Sequence, residues 1–166
     1  MGIITPSQLD TALLTVLAIS QAENLHINQA LTMLYFYGLR INEVTTLGEI
    51  TTKITTNEYE IFTKKNNKSR KIYPLPEHQT TLDEAIAAGN NFMPYSIEAI
   101  RRYISQRLPI KNATIGNKKS NTHLYRHNKA KQLYQNGISL NQIATYLGIT
   151  PSIANQYVTS VVRGIN

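Results

Sequence analysis

Apolar residues recur at helical spacing along most of this chain, with one interruption where the spacing shortens to two. Leu9, Leu13, Val16, Leu17 and Ile19 fall on one helical face. Thr5 followed by Pro6 reads as its start, because proline at the first helical position forfeits no hydrogen bond. The segment QAENLHIN breaks this pattern. Asn28 can cap a second helix, with Leu31, Leu34 and Tyr35 inward and Gly38 as its stop. From residue 50 the runs TTKIT, YEIFT and RKIYPLP predict three antiparallel strands over 50–55, 59–63 and 70–74. Residues 76–94 read as polar and irregular, with a short helix near 82–88. Ser96 opens an amphipathic helix with Ile97, Ile100, Tyr103, Ile104 and Leu108 inward. KNATIGNKKSN reads as a basic loop, 122–157 as a helix followed by helix, turn, helix, and VTSVVRGIN as a short tail. These elements predict a single α+β domain, mostly helical, with a small three-stranded antiparallel sheet at one edge.

Composition narrows the function classes. The chain has 166 residues, enough for one domain with a real core. Its net charge of +7 favours a polyanionic partner. The absence of cysteine excludes disulfides, zinc–thiolate sites and thiol catalysis. No apolar run approaches membrane-spanning length and no secretory pattern opens the chain, so the expected location is cytoplasmic. Lys64, Lys65, Lys68, Arg70 and Lys71 cluster on one hairpin that suits a duplex phosphate backbone; a solvated charged turn is the plainer reading. Arg101, Arg102 and Arg107 are expected to add outward positive charge. No carboxylate cluster suits Mg²⁺, so neither metal nor cofactor is expected.

Four positions carry candidate chemistry. His123 and Arg126, at i and i+3, share a helical face and offer a phosphate both a guanidinium fork and an imidazole. Tyr157 is a candidate nucleophile. Arg40 stands between Leu39 and Ile41, an odd place for a surface charge, and Glu43 can hold its guanidinium. A buried structural Arg–Glu pair explains the same two residues. QIATYLGITPSIANQYV also fits a non-catalytic helix-turn-helix DNA-binding regulator, with Ile143, Leu147, Ile149, Ile153 and Tyr157 as packing residues.

Taken in order, GLRINEV, TKKNNKSRKIYPLP, THLYRHNKA and LGITPSIANQYV resemble the catalytic domain of the tyrosine recombinases (phage integrase family) over nearly the whole chain. The resemblance implies an integrase-like catalytic domain over 1–166, without the N-terminal domain that clamps the other face of DNA. It implies catalytic roles for Arg40, Lys65, His123, Arg126 and Tyr157, with Glu43 in support and Lys64 or Lys68 as alternatives for the hairpin lysine. It implies site-specific DNA strand cleavage and rejoining through a 3′-phosphotyrosine, with Lys65 protonating the leaving 5′-oxygen. The implied partners are double-stranded DNA, further copies of the chain on it, and accessory DNA-bending proteins. Lys64, Lys68, Arg70, Lys71, Arg101 and Arg102 are the expected DNA contacts. One position departs from the pattern. After Leu-Gly the family carries His or Trp, whereas Ile149 has no donor. That departure keeps open a recombinase-derived domain that binds DNA without cutting it. A type IB topoisomerase shares the chemistry but is a longer chain.

Overall fold

The computed structural model describes residues 2–63, 67–116 and 119–166. Helix α1 (Pro6–Glu23) begins where expected. Thr5 Oγ1 accepts from the Gln8 amide and Gln8 Oε1 accepts from the Thr5 amide, closing a capping box. Helix α2 (Leu25–Tyr37) starts earlier than Asn28, because Asn24 closes α1 and caps α2 in one step. The break in periodicity is therefore a corner rather than a loop. Asn28 lies inside α2, where its Nδ2 donates to Leu17 O and Ser20 Oγ and ties the two helices together. At Gly38 the chain leaves α2 with φ 60°, and a Cβ there would sit 2.6 Å from Leu147 Cδ2. Conformation and space both require glycine.

Two short helices, α3 (Ile41–Thr45) and α4 (Leu47–Ile50), lead into the expected antiparallel sheet of β2 (Thr51–Thr55), β3 (Glu58–Thr63) and β4 (Lys68–Ile72). Tyr59, Ile61 and Ile72 face the core. Helix α5 (Pro76–Ala88) is longer than the sequence suggested. His78, Leu82 and Ala85 line its buried side, and two of these three are weak hydrophobic signals. Helix α6 (Ile97–Arg107) begins at the Ser96 cap as expected.

A second sheet was not expected. β1 (Gly2–Ile4), β5 (Lys111–Ile115) and β6 (Val162–Ile165) pair antiparallel in the order β1-β6-β5. The segments read as a basic loop and a tail are thus strands, with Ile4, Ile115 and Val162 buried beneath them. Helices α7 (Asn121–Gln135), α8 (Leu140–Leu147) and α9 (Pro151–Thr159) complete the nine helices among the described residues. Among those residues no helix is long and apolar enough to cross a membrane.

The main core runs through α1, α2, the first sheet, α5 and α6. A smaller cluster of Ala130, Ile143, Ala144, Leu147 and Ala154 joins α7, α8 and α9. Each fully buried Leu or Ile contributes about 1.5–3 kcal/mol. The contact of Gly38 with Leu147 brings the turn after α2 against the turn after α8.

Candidate active site

The site is built around one carboxylate. Glu43, 4% exposed, opens α3, where its Oε1 accepts from the Arg40 amide at 2.8 Å. Its main charged partner is Arg70 on β4. Arg70 Nη2 meets Oε1 and Nη1 meets Oε2, both at 2.7 Å, in a bidentate pair. Thr63 Oγ1 adds a bond to Oε2 at 2.6 Å. Arg40 Nη1 stands farther off, 3.6 Å from Oε2. Burial pushes the Glu43 carboxyl up, but Arg70 by hydrogen bond and charge, then Thr63 and the Arg40 amide, outweigh it and hold it at about 2.

Arg70 was expected to face DNA. It is instead buried, with its charge committed to Glu43, because it alternates inward with Ile72 along β4. Glu43 supports Arg40 chiefly through the backbone.

The second arginine comes from α7. Arg126, 2% exposed, donates through Nη1 to Gly38 O and through Nη2 to Leu147 O at 2.8 Å. Arg40 Nη2 takes the next carbonyl, Gly148 O, at 3.0 Å. Two guanidiniums thus hold consecutive carbonyls of the turn between α8 and α9. Burial first, and the Arg40 charge next, pull Arg126 down to about 10. An ionised Tyr157 acts the other way, which places the phenol within electrostatic reach. Among the described residues, Arg40, Arg70 and Arg126 set three positive charges against the carboxylate of Glu43. Among the described residues, Arg40 Nη1 and Arg126 Nε have no hydrogen-bond acceptor.

Tyr157 stands beside this cluster on α9, half-buried, between two imidazoles of α7. Its ring meets the His123 ring edge-on at 5.3 Å and stacks on His127 at 4.1 Å. The His-x-x-Arg pair therefore divides its work: His123 faces Tyr157, and Arg126 faces the α8–α9 turn. His127 went unnoticed in the sequence. Its spacing of four from His123 was the available signal, since i and i+4 share a helical face.

Against this geometry stand three solved structures. XerA recombinase superposes with a TM-score of 0.63 at 14% identity, covering 89% of this chain and 56% of its own. XerH site-specific recombinase, in a post-cleavage complex with its palindromic difH substrate, gives 0.62 at 19% identity, covering 89% of this chain and 47% of its own. Its pre-cleavage complex with difH gives 0.57 at 18% identity, covering 91% and 48%. The fold is that of a tyrosine recombinase catalytic domain. This chain spans about half the length of those recombinases. No protein-family model matches it, and no curated sequence does.

Within the recombinase fold the remaining expected residues separate. Lys64 and Lys65, and with Lys65 the expected general acid, lie outside the described residues. Lys68 and Lys71 are exposed on β4 at the rim of a trough of about 910 Å³ between β4 and the α8–α9 turn. Lys71 also lies 3.6 Å from Glu58. Arg101 and Arg102 line a different recess, with Lys119 and the start of α7. Arg107 is not a free cation: it pairs with Glu23 at 2.6 Å and lies over the Tyr103 ring.

Ile149 has a structural reason to be apolar. The Ile149 amide donates to Ala144 O at 2.9 Å and Gly148, with φ 70°, precedes it, so α8 ends in a Schellman turn. Ile149 is the hydrophobic cap of that turn, half-buried against the α7–α9 cluster. Ile149→His should lower stability by about 1–3 kcal/mol, the cost of placing a polar ring there. It should raise single-turnover cleavage of a suicide substrate by restoring a donor. A variant that stays folded, binds DNA and cuts no faster identifies Ile149 as packing alone.

Proposed function

We propose that this chain cleaves and rejoins DNA strands, with Tyr157 as nucleophile. The observation that carries this reading is the excess of two positive charges in the Arg40–Arg70–Arg126 cluster over Glu43, set beside Tyr157. Such an excess in a largely dry site calls for an anion, and a phosphodiester gains further charge in its pentavalent transition state. Arg40, partly exposed, meets the phosphate first. Tyr157 attacks phosphorus, the P–O5′ bond breaks, and the energy of that bond is kept in a 3′-phosphotyrosine. Lys65 gives a proton to the leaving 5′-oxygen, and the phenol proton passes to a ring nitrogen of His123, whose ring lies beside that of Tyr157. Attack by a 5′-hydroxyl reverses the step. The DNA complexes of XerH support double-stranded DNA as the substrate. Assembly of several copies on the site, and accessory DNA-bending proteins, belong to the same proposal.

The test is incubation with nicked duplexes that lose a short 5′-hydroxyl strand on cleavage. A protein–DNA band that survives denaturation is expected; none across a library of sites would sink the reading. A second reading, DNA binding without cleavage, is favoured by one observation: Arg126 is 2% exposed and its donors already serve backbone carbonyls. That reading predicts binding and no band.

Binding itself should weaken steeply with salt. Neutralising Lys64, Lys68 and Lys71 together should flatten the slope of log K against log salt by about 2 to 3, one counterion for each lost phosphate contact. An unchanged slope places the duplex on another face.

A further inference from the structure

The end of α9 is held from α7 by contacts that the strand-cleavage chemistry does not explain. Lys131, 8% exposed, donates through Nζ to Ser160 O at 2.6 Å and to Val158 O at 3.3 Å. An ammonium at the last carbonyls of a helix satisfies them and complements its dipole. One turn back along α7, His127 Nδ1 lies 2.8 Å from Ser160 Oγ. Ser160 Oγ is also 2.8 Å from Tyr157 O, and a carbonyl can only accept, so the hydroxyl proton points there. A hydroxyl carries one proton. The bond to His127 must therefore be supplied by the ring, with the proton on Nδ1. The same ring stacks on Tyr157 at 4.1 Å with 29° between planes.

We infer that His127 is a positioning residue: Ser160 locks its imidazole as the Nδ1–H form, and the locked ring fixes the plane of the Tyr157 phenol. The inference rests on the reading of Tyr157 as nucleophile. In-line attack demands placement of the phenol oxygen to within about an ångström, and an error of that size costs roughly a hundredfold. The Tyr157 ring packs against the small cluster of α7, α8 and α9 and meets His123 edge-on, and neither contact lies face to face with it as His127 does. The stack supplies that restraint, and the Ser160 bond keeps the imidazole from turning away.

Three measurements test this on the full chain. In protein labelled with ¹⁵N at histidine, His127 should show the Nδ1–H tautomer, and Ser160→Ala should shift it toward Nε2–H. The Tyr157 ring protons should lie upfield from the stacked imidazole and move back in His127→Ala. Single-turnover cleavage should fall about 10- to 100-fold in His127→Ala and less in Ser160→Ala, with DNA affinity within about threefold. His127→Phe, which keeps the stack, should recover most of the lost rate. An Nε2–H ring in the parent chain overturns the inference, as does His127→Ala folded and cleaving at the parent rate. A chain that forms no adduct in any variant overturns the strand-cleavage reading instead. The tautomer and the ring shifts then still decide whether His127 holds the Tyr157 ring.

Discussion

Tyr157→Phe is expected to abolish the covalent protein–DNA adduct while leaving DNA affinity within a few-fold and the melting temperature nearly unchanged. The substitution removes one oxygen. The ring, its stack on His127 and its edge contact with His123 remain, so the packing of α9 survives. The nucleophile does not survive, and losses on removing one from a working catalytic group run to roughly 10⁴-fold or more. Tyr146 is the competing hydroxyl on the same pair of helices. Its environment argues against it: burial pushes its phenol well above the usual range, and its hydroxyl donates to Phe36 O at 3.2 Å. Tyr146→Phe should accordingly spare the adduct. An adduct that persists in Tyr157→Phe and vanishes in Tyr146→Phe would reverse the assignment.

The helices were legible in the sequence wherever capping chemistry and apolar spacing agreed. Thr5-Pro6 and Ser96 each mark a start within one residue of the observed one. Asn28 was misread because two asparagines compete for one corner, and only the contact with Leu17 and Ser20 shows which of them caps. The second sheet was not legible for a different reason. Its strands run three to five residues, too short for alternation to register, and β1 pairs with β6 across nearly the whole chain. Its stability comes from tertiary burial of Ile4, Ile115 and Val162 rather than from local propensity.

For the site, the sequence singled out residues that the fold brings near one another, and mispaired two of them. Arg40, His123, Arg126 and Tyr157 all come to the α8–α9 turn or beside it. The carboxylate partner was assigned to the nearer arginine, three residues away, whereas the bidentate bond goes to Arg70, 27 residues on. Five hairpin cations look alike in one dimension. What separates Arg70 is strand parity: it lies opposite Ile61 and two residues before Ile72, both fully buried. Counting alternation from Ile72 would have turned Arg70 inward and Lys71 outward; Lys68 shares the parity of Arg70 and is exposed only because it stands at the first position of the strand.

Glu43→Gln should give the largest loss of stability of any single change in the site. The parent carboxylate is held at about 2 against an ordinary 4.5, a depression worth about 3 kcal/mol. Because the folded value is the lower one, this stabilisation is complete above about pH 5 and is lost as pH falls from there through about 2. The variant keeps the shape of the side chain but places an amide beside the Arg70 guanidinium and leaves three clustered charges with no anion. Breaking a buried pair in this way costs about 3–5 kcal/mol. Denaturant titration at pH 7 should show a lower midpoint with an unchanged slope. Between pH 5 and 2 the variant's stability should change less than the parent's, since the group that titrates there is gone. Cleavage should also fall, by roughly a hundredfold, as the uncompensated Arg70 guanidinium displaces the side chain beneath Arg40, although the glutamine oxygen can still accept from the Arg40 amide. Arg40→Ala separates the two effects. It should cost a similar factor in cleavage and less stability, about 1 kcal/mol, because its contact with Glu43 is the long one at 3.6 Å and its close side-chain bond is a single one to Gly148 O. If Arg40→Ala instead unfolds the chain and spares cleavage, Arg40 belongs to the scaffold, and the phosphate is gripped elsewhere.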